Sequence, residues 1–268
     1  MKSETYKKEF IKLMDKFGYK YSRWNIWNDF LYVSAVALAN ATTEKDTTWQ
    51  EREDQYLKII NKYTKEERQL LVEMFVQVIL AFEDNLEQDF LGELYHMMNL
   101  QQNQKGQFFT PYHIAEFMAE LNIGKEGVEK ELTQSEKGYI SVMDPAVGAG
   151  ALLVAFANVC RKNKINYQQK ILFIAQDIDQ TAALMAYIQL SVIGASAIII
   201  VGDSLAKPGF HEDNEVWMTP MYALNQWRFS SFWKQSEQIE AAQVIEADIK
   251  VEYAEEKTGQ LKLNFQGL

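Results

Sequence analysis

The hydrophobic positions of the chain follow two different periods, and the change comes near Gly138. Before it, apolar residues recur at three- and four-residue spacing in segments such as YKKEFIKLMDKF, WNDFLYVSAVALAN and EERQLLVEMFVQVILAFEDN. This spacing is typical of amphipathic helices. The first proline is Pro111, so no proline interrupts the earlier segments. We therefore predict a helical domain over residues 1–104.

After Gly138, short apolar runs alternate with helical patterns. The predicted strands are YISVMD, ILFIAQD, SAIIIVGD and EVWMT, and the predicted helices between them are ALLVAFANVCRK and DQTAALMAYIQLSVIG. Strands that alternate with amphipathic helices indicate an α/β fold, in which a parallel sheet has helices on both faces. We assign this domain to residues 105–235 and treat residues 236–268 as a C-terminal extension.

Ligands of such sheets bind beyond the carboxyl ends of the strands. The loops to consider are those that open at Asp144, Asp177, Asp203 and Thr219. In the first loop, DPAVGAG, Gly148 and Gly150 would let a ligand approach the backbone closely. The loop lacks the third glycine of a dinucleotide fingerprint and begins with an acid. It therefore disfavours a pyrophosphate and favours a cationic or amino-bearing ligand.

Two further acids follow the next two strands. Asp177 can accept hydrogen bonds from both hydroxyls of a ribose, and Asp203 can accept one from the exocyclic amino group of an adenine. Asp179 is the predicted N-cap of the following helix. Each acid alone also fits an ordinary strand end. Three acid-tipped strand ends in succession favour one shared ligand site.

Composition and charge restrict the class of protein. Hydrophobic residues make up 47% of the chain and charged residues 24%, as in an ordinary globular protein. No apolar stretch is long enough to span a bilayer, and MKSETYKKEF lacks the apolar core of a signal peptide. We therefore expect a cytoplasmic protein without a membrane partner. The net charge of −10 argues against a protein that binds a polyanion over its whole surface. It allows a local basic face or a partner that supplies one.

Four segments together resemble a known family. GQFFTPYHIAEFM, DPAVGAGALLVAF, AQDIDQTAALMAYIQL and VGDSL are similar, in sequence and order, to S-adenosylmethionine-dependent DNA adenine-N6 methyltransferases. The nearest likeness is to the modification subunits of type I restriction systems, and it covers residues 89–222. It implies a Rossmann-like class I methyltransferase sheet behind an N-terminal helical domain.

The resemblance implies S-adenosylmethionine as the cofactor and a set of residues at its methionine end. Phe108 and Thr110 would line that end, with Thr110 bonded to the carboxylate or amino group. Asp144 would face the ammonium, while Ala146 and Gly148 would shape the loop around it. An acid-led loop suits this cofactor, because S-adenosylmethionine carries a sulfonium and an ammonium but no phosphate.

The resemblance also implies the residues around the adenosine. Asp177 would hold the ribose and Ile178 would pack against the adenine ring. Asp203 would accept a hydrogen bond from the adenine amino group, with Ser204 beside it.

The family holds its target base with a motif of the form (Asn/Asp/Ser)-Pro-Pro-(Tyr/Phe). The first side chain and the next carbonyl accept hydrogen bonds from the adenine amino group, and the aromatic ring stacks on the base, which is flipped out of the duplex. The segment at the expected place is Thr219-Pro220-Met221-Tyr222, so Thr219, Pro220 and Tyr222 are the implied catalytic residues. The motif is degenerate, and the alternative is that TPMY is only a strand end and a turn.

Other chemistries are less well supported by the sequence. The only cysteine, Cys160, falls inside a predicted helix and is expected in the core, so it is a poor candidate for the nucleophile of a cytosine methyltransferase. The histidines His96, His113 and His211 are scattered, and we predict no metal site.

The resemblance implies double-stranded DNA as the substrate. No segment is left over for target recognition, so we expect a separate specificity subunit to read the sequence. Two alternatives stay open: a methyltransferase acting on a protein glutamine amide, and a cofactor-binding partner protein with weak or no transferase activity.

Overall fold

The computed structural model describes residues 2–100 and 109–232, which form helices around a small sheet. The helices before the sheet are α1 (Lys2–Asp15), α2 (Arg23–Asn40), α3 (Thr47–Ile60), α4 (Lys65–Asp84), α5 (Phe90–Met97) and α6 (Tyr112–Gln134). The elements that follow are β1 (Ile140–Asp144), α7 (Ala151–Lys162), α8 (Tyr167–Lys170), β2 (Ile171–Asp177), α9 (Gln180–Val192), β3 (Ala197–Val201), β4 (Glu215–Met218) and α10 (Pro220–Asn225). The elements up to Asn225 belong to one compact unit, and a short 3₁₀ helix, Gln226–Phe229, belongs to a second unit.

The N-terminal helices begin at residues whose side chains cap them. Ser22, Asp46 and Thr64 each accept a hydrogen bond from a backbone N–H in the first turn of α2, α3 and α4. In α4 the Glu67 side chain also accepts from the backbone N–H of Thr64, which completes a capping box. The prediction of helices in this part of the chain is confirmed.

Strands β1, β2 and β3 are parallel and adjacent in that order. The register pairs Asp144 with Ala175 and Asp177 with Val201, so the three strands end at the same end of the sheet. We call this the carboxyl end of the sheet. Helix α7 connects β1 to β2 through α8, and α9 connects β2 to β3. The predicted α/β fold is confirmed for these elements.

Strand β4 runs antiparallel to β3, and the prediction of a parallel fourth strand is wrong. Ile198 pairs with Met218, and Val201 pairs with Glu215. The connection over residues 202–214 contains turns but no helix, whereas a parallel return requires a crossover that is usually helical. As a result, β4 begins at the carboxyl end of the sheet and ends at the opposite end.

A buried glutamine joins the N-terminal helices to the sheet. Gln189 in α9 is fully buried, and its Oε1 accepts a hydrogen bond of 3.1 Å from the backbone N–H of Leu91. Its Nε2 donates to Oδ1 of Asp89 at 2.8 Å and to the carbonyl of Ala149 at 2.7 Å. Because a buried amide is costly unless its groups are paired, these bonds fix α5, α9 and the loop after β1 relative to one another.

Further contacts connect the helices to the sheet. The guanidinium of Arg52 in α3 lies 3.8 Å from the ring centroid of Trp217 in β4 and donates a 2.6 Å hydrogen bond to the Val216 carbonyl. The hydroxyl of Thr181 in α9 donates to Oδ1 of Asn28 in α2 at 2.7 Å. One hydrophobic core therefore extends through both parts. The division at residues 104 and 235 stays a prediction.

We predict that Asp89→Asn stabilises the protein at neutral pH. Burial raises the pKa of Asp89 to about 6 from its ordinary value of 3.8, although Gln189 and the N–H of Gly92 donate to its Oδ1. The folded state therefore binds the proton more tightly, and stability falls as the pH rises between these values. Asparagine keeps an acceptor oxygen without the charge.

The expected gain in unfolding free energy is on the order of 3 kcal/mol above about pH 6, and it disappears below about pH 4. Urea unfolding of both proteins across this range measures it. A difference that does not change with pH would contradict the buried, ionising carboxyl.

Candidate cofactor site

The loop between β1 and α7 is held by backbone hydrogen bonds to β2. The N–H of Val147 donates to the carbonyl of Gln176 at 3.0 Å, and the N–H of Gly148 donates to Oδ2 of Asp177 at 2.8 Å. Gly148 and Gly150 have φ angles of 56° and 97°, in the left-handed region that favours glycine. The DPAVGAG loop therefore depends on both its glycines and the acid of the next strand.

The same two glycines lie where a side chain would collide with its neighbours. A Cβ on Gly148 would lie 2.9 Å from the ring of Phe109, and one on Gly150 would lie 3.1 Å from Ala186 in α9. Phe109 also contacts Tyr95, with ring centroids 5.4 Å apart. The chain before α6 therefore packs directly on the glycine loop.

Phe109 is a site residue that sequence reasoning missed. The prediction chose Phe108, which lies outside the described residues. The signal was present, because two aromatic residues precede Thr110, but the pattern alone does not say which ring faces the loop. Thr110 lies beside Phe109 and with it borders a cavity of about 60 Å³ next to Ala146 and Gly148.

Asp144 ends β1, and its two carboxylate oxygens differ in their hydrogen bonding within residues 2–100 and 109–232. Its Oδ1 accepts a hydrogen bond of 3.0 Å from the N–H of Ala146. Its Oδ2 is buried and has no hydrogen-bond partner among the described residues. Burial raises the pKa of Asp144, and the nearby charge of Asp177 raises it further. A buried carboxylate oxygen that lacks a donor suits a ligand that brings a positive charge or an N–H group.

Asp177 connects the end of β2 to the glycine loop. Its Oδ2 accepts from Gly148, and its Oδ1 accepts from the N–H of Asp179 at 2.9 Å. Burial raises the pKa of Asp177, and these backbone hydrogen bonds oppose the shift. Each oxygen keeps a second lone pair for a ligand hydroxyl. Asp179 caps α9 through a 2.8 Å bond from the N–H of Thr181, which confirms its predicted role.

The loop after β3 lies beside Asp177. The N–H of Gly202 donates to the Asp177 carbonyl at 2.9 Å, which places Asp203 at the carboxyl end of the sheet. The Oδ1 of Asp203 accepts from the N–H groups of Ala206 and Leu205, and these bonds lower its pKa. Ile178 follows Asp177 directly and is 69% exposed at this end of the sheet.

The described structure therefore groups most of the predicted cofactor residues. Those at the carboxyl end of the sheet or bordering its first loop are Thr110, Asp144, Ala146, Gly148, Asp177, Ile178, Asp203 and Ser204.

The predicted catalytic segment lies at the other end of the sheet. The Thr219 hydroxyl is fully buried; it donates to the carbonyl of Ala195 at 2.7 Å and accepts from the N–H of Ala197 at 2.9 Å. Pro220 is the first residue of α10, and Tyr222 is fully buried. The expectation that this loop opens beside the acids is wrong, because β4 is antiparallel. The catalytic roles of these residues stay a prediction.

The remaining candidate chemistries have no support among residues 2–100 and 109–232. Cys160 is buried in α7 as predicted, and burial raises the pKa of its thiol to about 12. In this part of the chain no three His, Cys, Asp or Glu side chains group as metal ligands would. None of the helices described there has the length and apolarity that crossing a membrane requires.

We predict that Gly148→Ala destabilises the protein more than Gly138→Ala does. Both glycines have positive φ, so alanine at either costs roughly 1–2 kcal/mol in backbone strain. Only at Gly148 does the added methyl also meet the Phe109 ring, since nothing lies within 4 Å of a Cβ on Gly138. Urea unfolding of the two variants measures the difference. Equal losses would show that the Phe109 ring does not press on the loop.

Comparison with known proteins gives one family match and a similar solved structure. The family model described as N-6 DNA methylase matches residues 86–258. A comparison with curated proteins finds no match. Among solved structures, the methyltransferase subunit of a type I restriction-modification system from Streptococcus thermophilus is similar at 13% identity and a TM-score of 0.39. The match covers 79% of this chain but 61% of that subunit, so this chain spans less than two thirds of its length. On the family match, the chain belongs to the N-6 DNA methylase family.

Proposed function

We propose that the chain binds S-adenosylmethionine at the carboxyl end of its sheet and transfers the methyl group to N6 of adenine in DNA. Membership in the N-6 DNA methylase family supports the reaction. The observation that carries the proposal is the buried Oδ2 of Asp144 beside a glycine loop, for which the described part of the chain offers no hydrogen-bond donor. An ammonium group would supply both the charge and the N–H that this oxygen lacks.

The other acids suit the rest of the same cofactor. Asp177 would accept from the ribose hydroxyls through the lone pairs that its backbone hydrogen bonds leave, and Ile178 would cover the adenine ring. Asp203 would accept from the adenine amino group, with Ser204 beside it. Phe109 and Thr110 would line the part of the site that holds the methionine end of the cofactor. When bound, the cofactor supplies an electrophilic methyl group on its sulfonium, so the reaction needs no covalent enzyme intermediate.

The target nitrogen needs hydrogen-bond acceptors, because its lone pair is delocalised into the adenine ring. The proposed acceptors are the Thr219 hydroxyl and the Pro220 carbonyl, with Tyr222 stacked on a base flipped from the duplex. Thr219 and Tyr222 are buried at the end of the sheet opposite the acids, so for this contact α10 and β4 would have to leave the sheet and move to its carboxyl end. We further propose that a separate specificity subunit reads the DNA sequence.

A second candidate function is a cofactor-binding partner protein without transferase activity. The observation that favours it is the Thr219 hydroxyl, whose donor and acceptor functions are both used within the sheet. In that case Thr219 and Pro220 serve only to begin α10, as an N-cap threonine followed by proline commonly does.

We predict that the affinity for S-adenosylmethionine rises with pH through the raised pKa of Asp144. A cation binds the carboxylate and not the protonated acid. The affinity for the cofactor is therefore highest above the pKa of Asp144 and decreases as the pH falls through it. Asp144→Asn should bind at least about tenfold more weakly at neutral pH and depend less on pH. Isothermal titration calorimetry measures both. Tight binding by the asparagine variant would show that Asp144 does not contribute to cofactor binding.

We predict that the chain transfers radiolabelled methyl groups to adenine in unmethylated DNA, alone or with a specificity protein encoded beside it. Thr219→Ser should keep activity because it keeps the hydroxyl. Thr219→Val should lose at least about tenfold in rate, typical of removing one positioned hydrogen-bond partner.

Cofactor affinity and unfolding of each Thr219 variant are the controls, because the same hydroxyl is also structural. A folded, cofactor-binding Thr219→Val protein with full activity would exclude the residue from catalysis. Cofactor binding without methylation of DNA under any condition would favour the partner-protein function.

A further inference from the structure

The loop between β3 and β4, residues 202–214, is attached to β2 by a buried glutamine. Gln176 is fully buried in β2, which lies between β1 and β3. Its Nε2 donates to the carbonyl of Lys207 at 3.0 Å and to that of Gly202 at 3.4 Å. Its Oε1 accepts a hydrogen bond of 3.0 Å from the N–H of Gly209. Because a buried amide is costly unless its groups are paired, these bonds fix the loop on the sheet.

A second side-chain amide, that of Asn214, holds the same loop from its other end. Its Nδ2 donates to the carbonyl of Lys207 at 2.8 Å and to that of Gly209 at 2.7 Å. The carbonyl of Lys207 therefore accepts from both Gln176 and Asn214. Asn214 also lies against the first residue of the loop, because a Cβ added to Gly202 would collide with its Oδ1. The two ends of the loop thus meet, and the loop is closed by these amides.

The carboxylate of Asp203 takes its orientation from this closed loop. Its Oδ1 accepts from the N–H groups of Leu205 at 2.9 Å and Ala206 at 3.1 Å, and its backbone carbonyl accepts from the N–H of Lys207 at 2.7 Å. The ion pair between Lys207 and Asp213 also spans the loop, but it contributes little because both side chains are exposed to solvent. The two amides are therefore the main constraint on the direction of the Asp203 oxygens.

We propose that Gln176 and Asn214 are positioning residues that make the cofactor site specific for adenine. The inference rests on the proposed function, in which Asp203 accepts a hydrogen bond from the amino group of the cofactor's adenine. An ionised carboxylate accepts from an amino group but repels the oxo group that hypoxanthine carries at the same position. A mobile carboxylate can turn from that oxo group towards the ring N1–H of hypoxanthine. Discrimination between the two purines therefore requires a carboxylate that is held in one orientation.

The test compares how tightly the full chain binds S-adenosylhomocysteine and S-inosylhomocysteine, which differ in the group at position 6 of the purine. Isothermal titration calorimetry gives the two dissociation constants, and their ratio measures the preference for adenine. The wild-type chain should bind the adenosyl analogue at least about tenfold more tightly. Gln176→Met keeps the length of the side chain but loses its three hydrogen bonds. It should reduce this preference to less than about threefold.

The matched control is Gln189→Met. Gln189 is also a fully buried glutamine with three hydrogen bonds, but its partners lie in α5, directly before it and in the glycine loop, not in the loop after β3. Its replacement should weaken the binding of both analogues by the same factor and leave their ratio unchanged. A general loss of stability does not distinguish the two purines, so a change in the ratio reports the orientation of Asp203.

Asn214→Ala keeps the proposal testable if Gln176→Met fails to fold, because Asn214 is only partly buried. It should also reduce the preference for the adenosyl analogue to less than about threefold. A preference that keeps its wild-type value in the folded Gln176 and Asn214 variants, or that falls equally in the Gln189 variant, would overturn the inference alone. A wild-type chain that binds neither analogue would contradict the proposed cofactor site, and the inference with it.

Discussion

The buried side-chain amide of Gln189 is the interaction on which the rest of the structure depends. It accepts from the N–H of Leu91 and donates to Asp89 and to the carbonyl of Ala149. Removing any one partner would leave a polar group unpaired in the core, which costs more than a single hydrogen bond contributes. The amide therefore determines where α5 and the glycine loop lie relative to α9. A second bond, from Gly148 to Asp177, fixes the other side of the loop.

This fixed loop creates a site with an unmet electrostatic requirement. Asp144 and Asp177 are both desolvated, and the charge of Asp177 contributes to the raised pKa of Asp144. A cation that carries N–H groups would relieve the repulsion and donate to the Asp144 oxygen that has no donor among the residues described. The same preference for positive charge explains why an acid can lead a glycine loop that elsewhere binds phosphate. Two desolvated carboxylates at this place favour a cationic ligand over an anionic one.

Much of this arrangement could be predicted from the sequence because it follows local rules. The alternation of strands and helices, the cap at Asp179 and the buried Cys160 each follow from a hydrophobic period or from a neighbouring residue. The acids after β1, β2 and β3 could be grouped because parallel strands place their carboxyl ends together. The direction of β4 could not be predicted from its own residues. It depends on the preceding connection, residues 202–214, which forms turns and not a helix.

The long-range contacts also escaped prediction. Gln189 lies in an apolar helix pattern, and nothing nearby in the sequence indicates that Asp89, a hundred positions away, is its partner. The sequence does not distinguish Phe109, whose ring packs on the glycine loop, from its neighbour Phe108. The antiparallel β4 places Thr219 away from the acids, and this single change of direction gives the threonine a structural use that the motif alone does not suggest.

Hydrogen exchange of the glycine loop in Gln189→Met tests the central claim most directly. Methionine keeps the length of the side chain but cannot form the three hydrogen bonds. The account predicts that the amides of Val147 and Gly148 lose protection while that of Phe173, inside β2, keeps it. Equal protection of the loop amides in both proteins would contradict the claim that the buried amide holds the glycine loop in place.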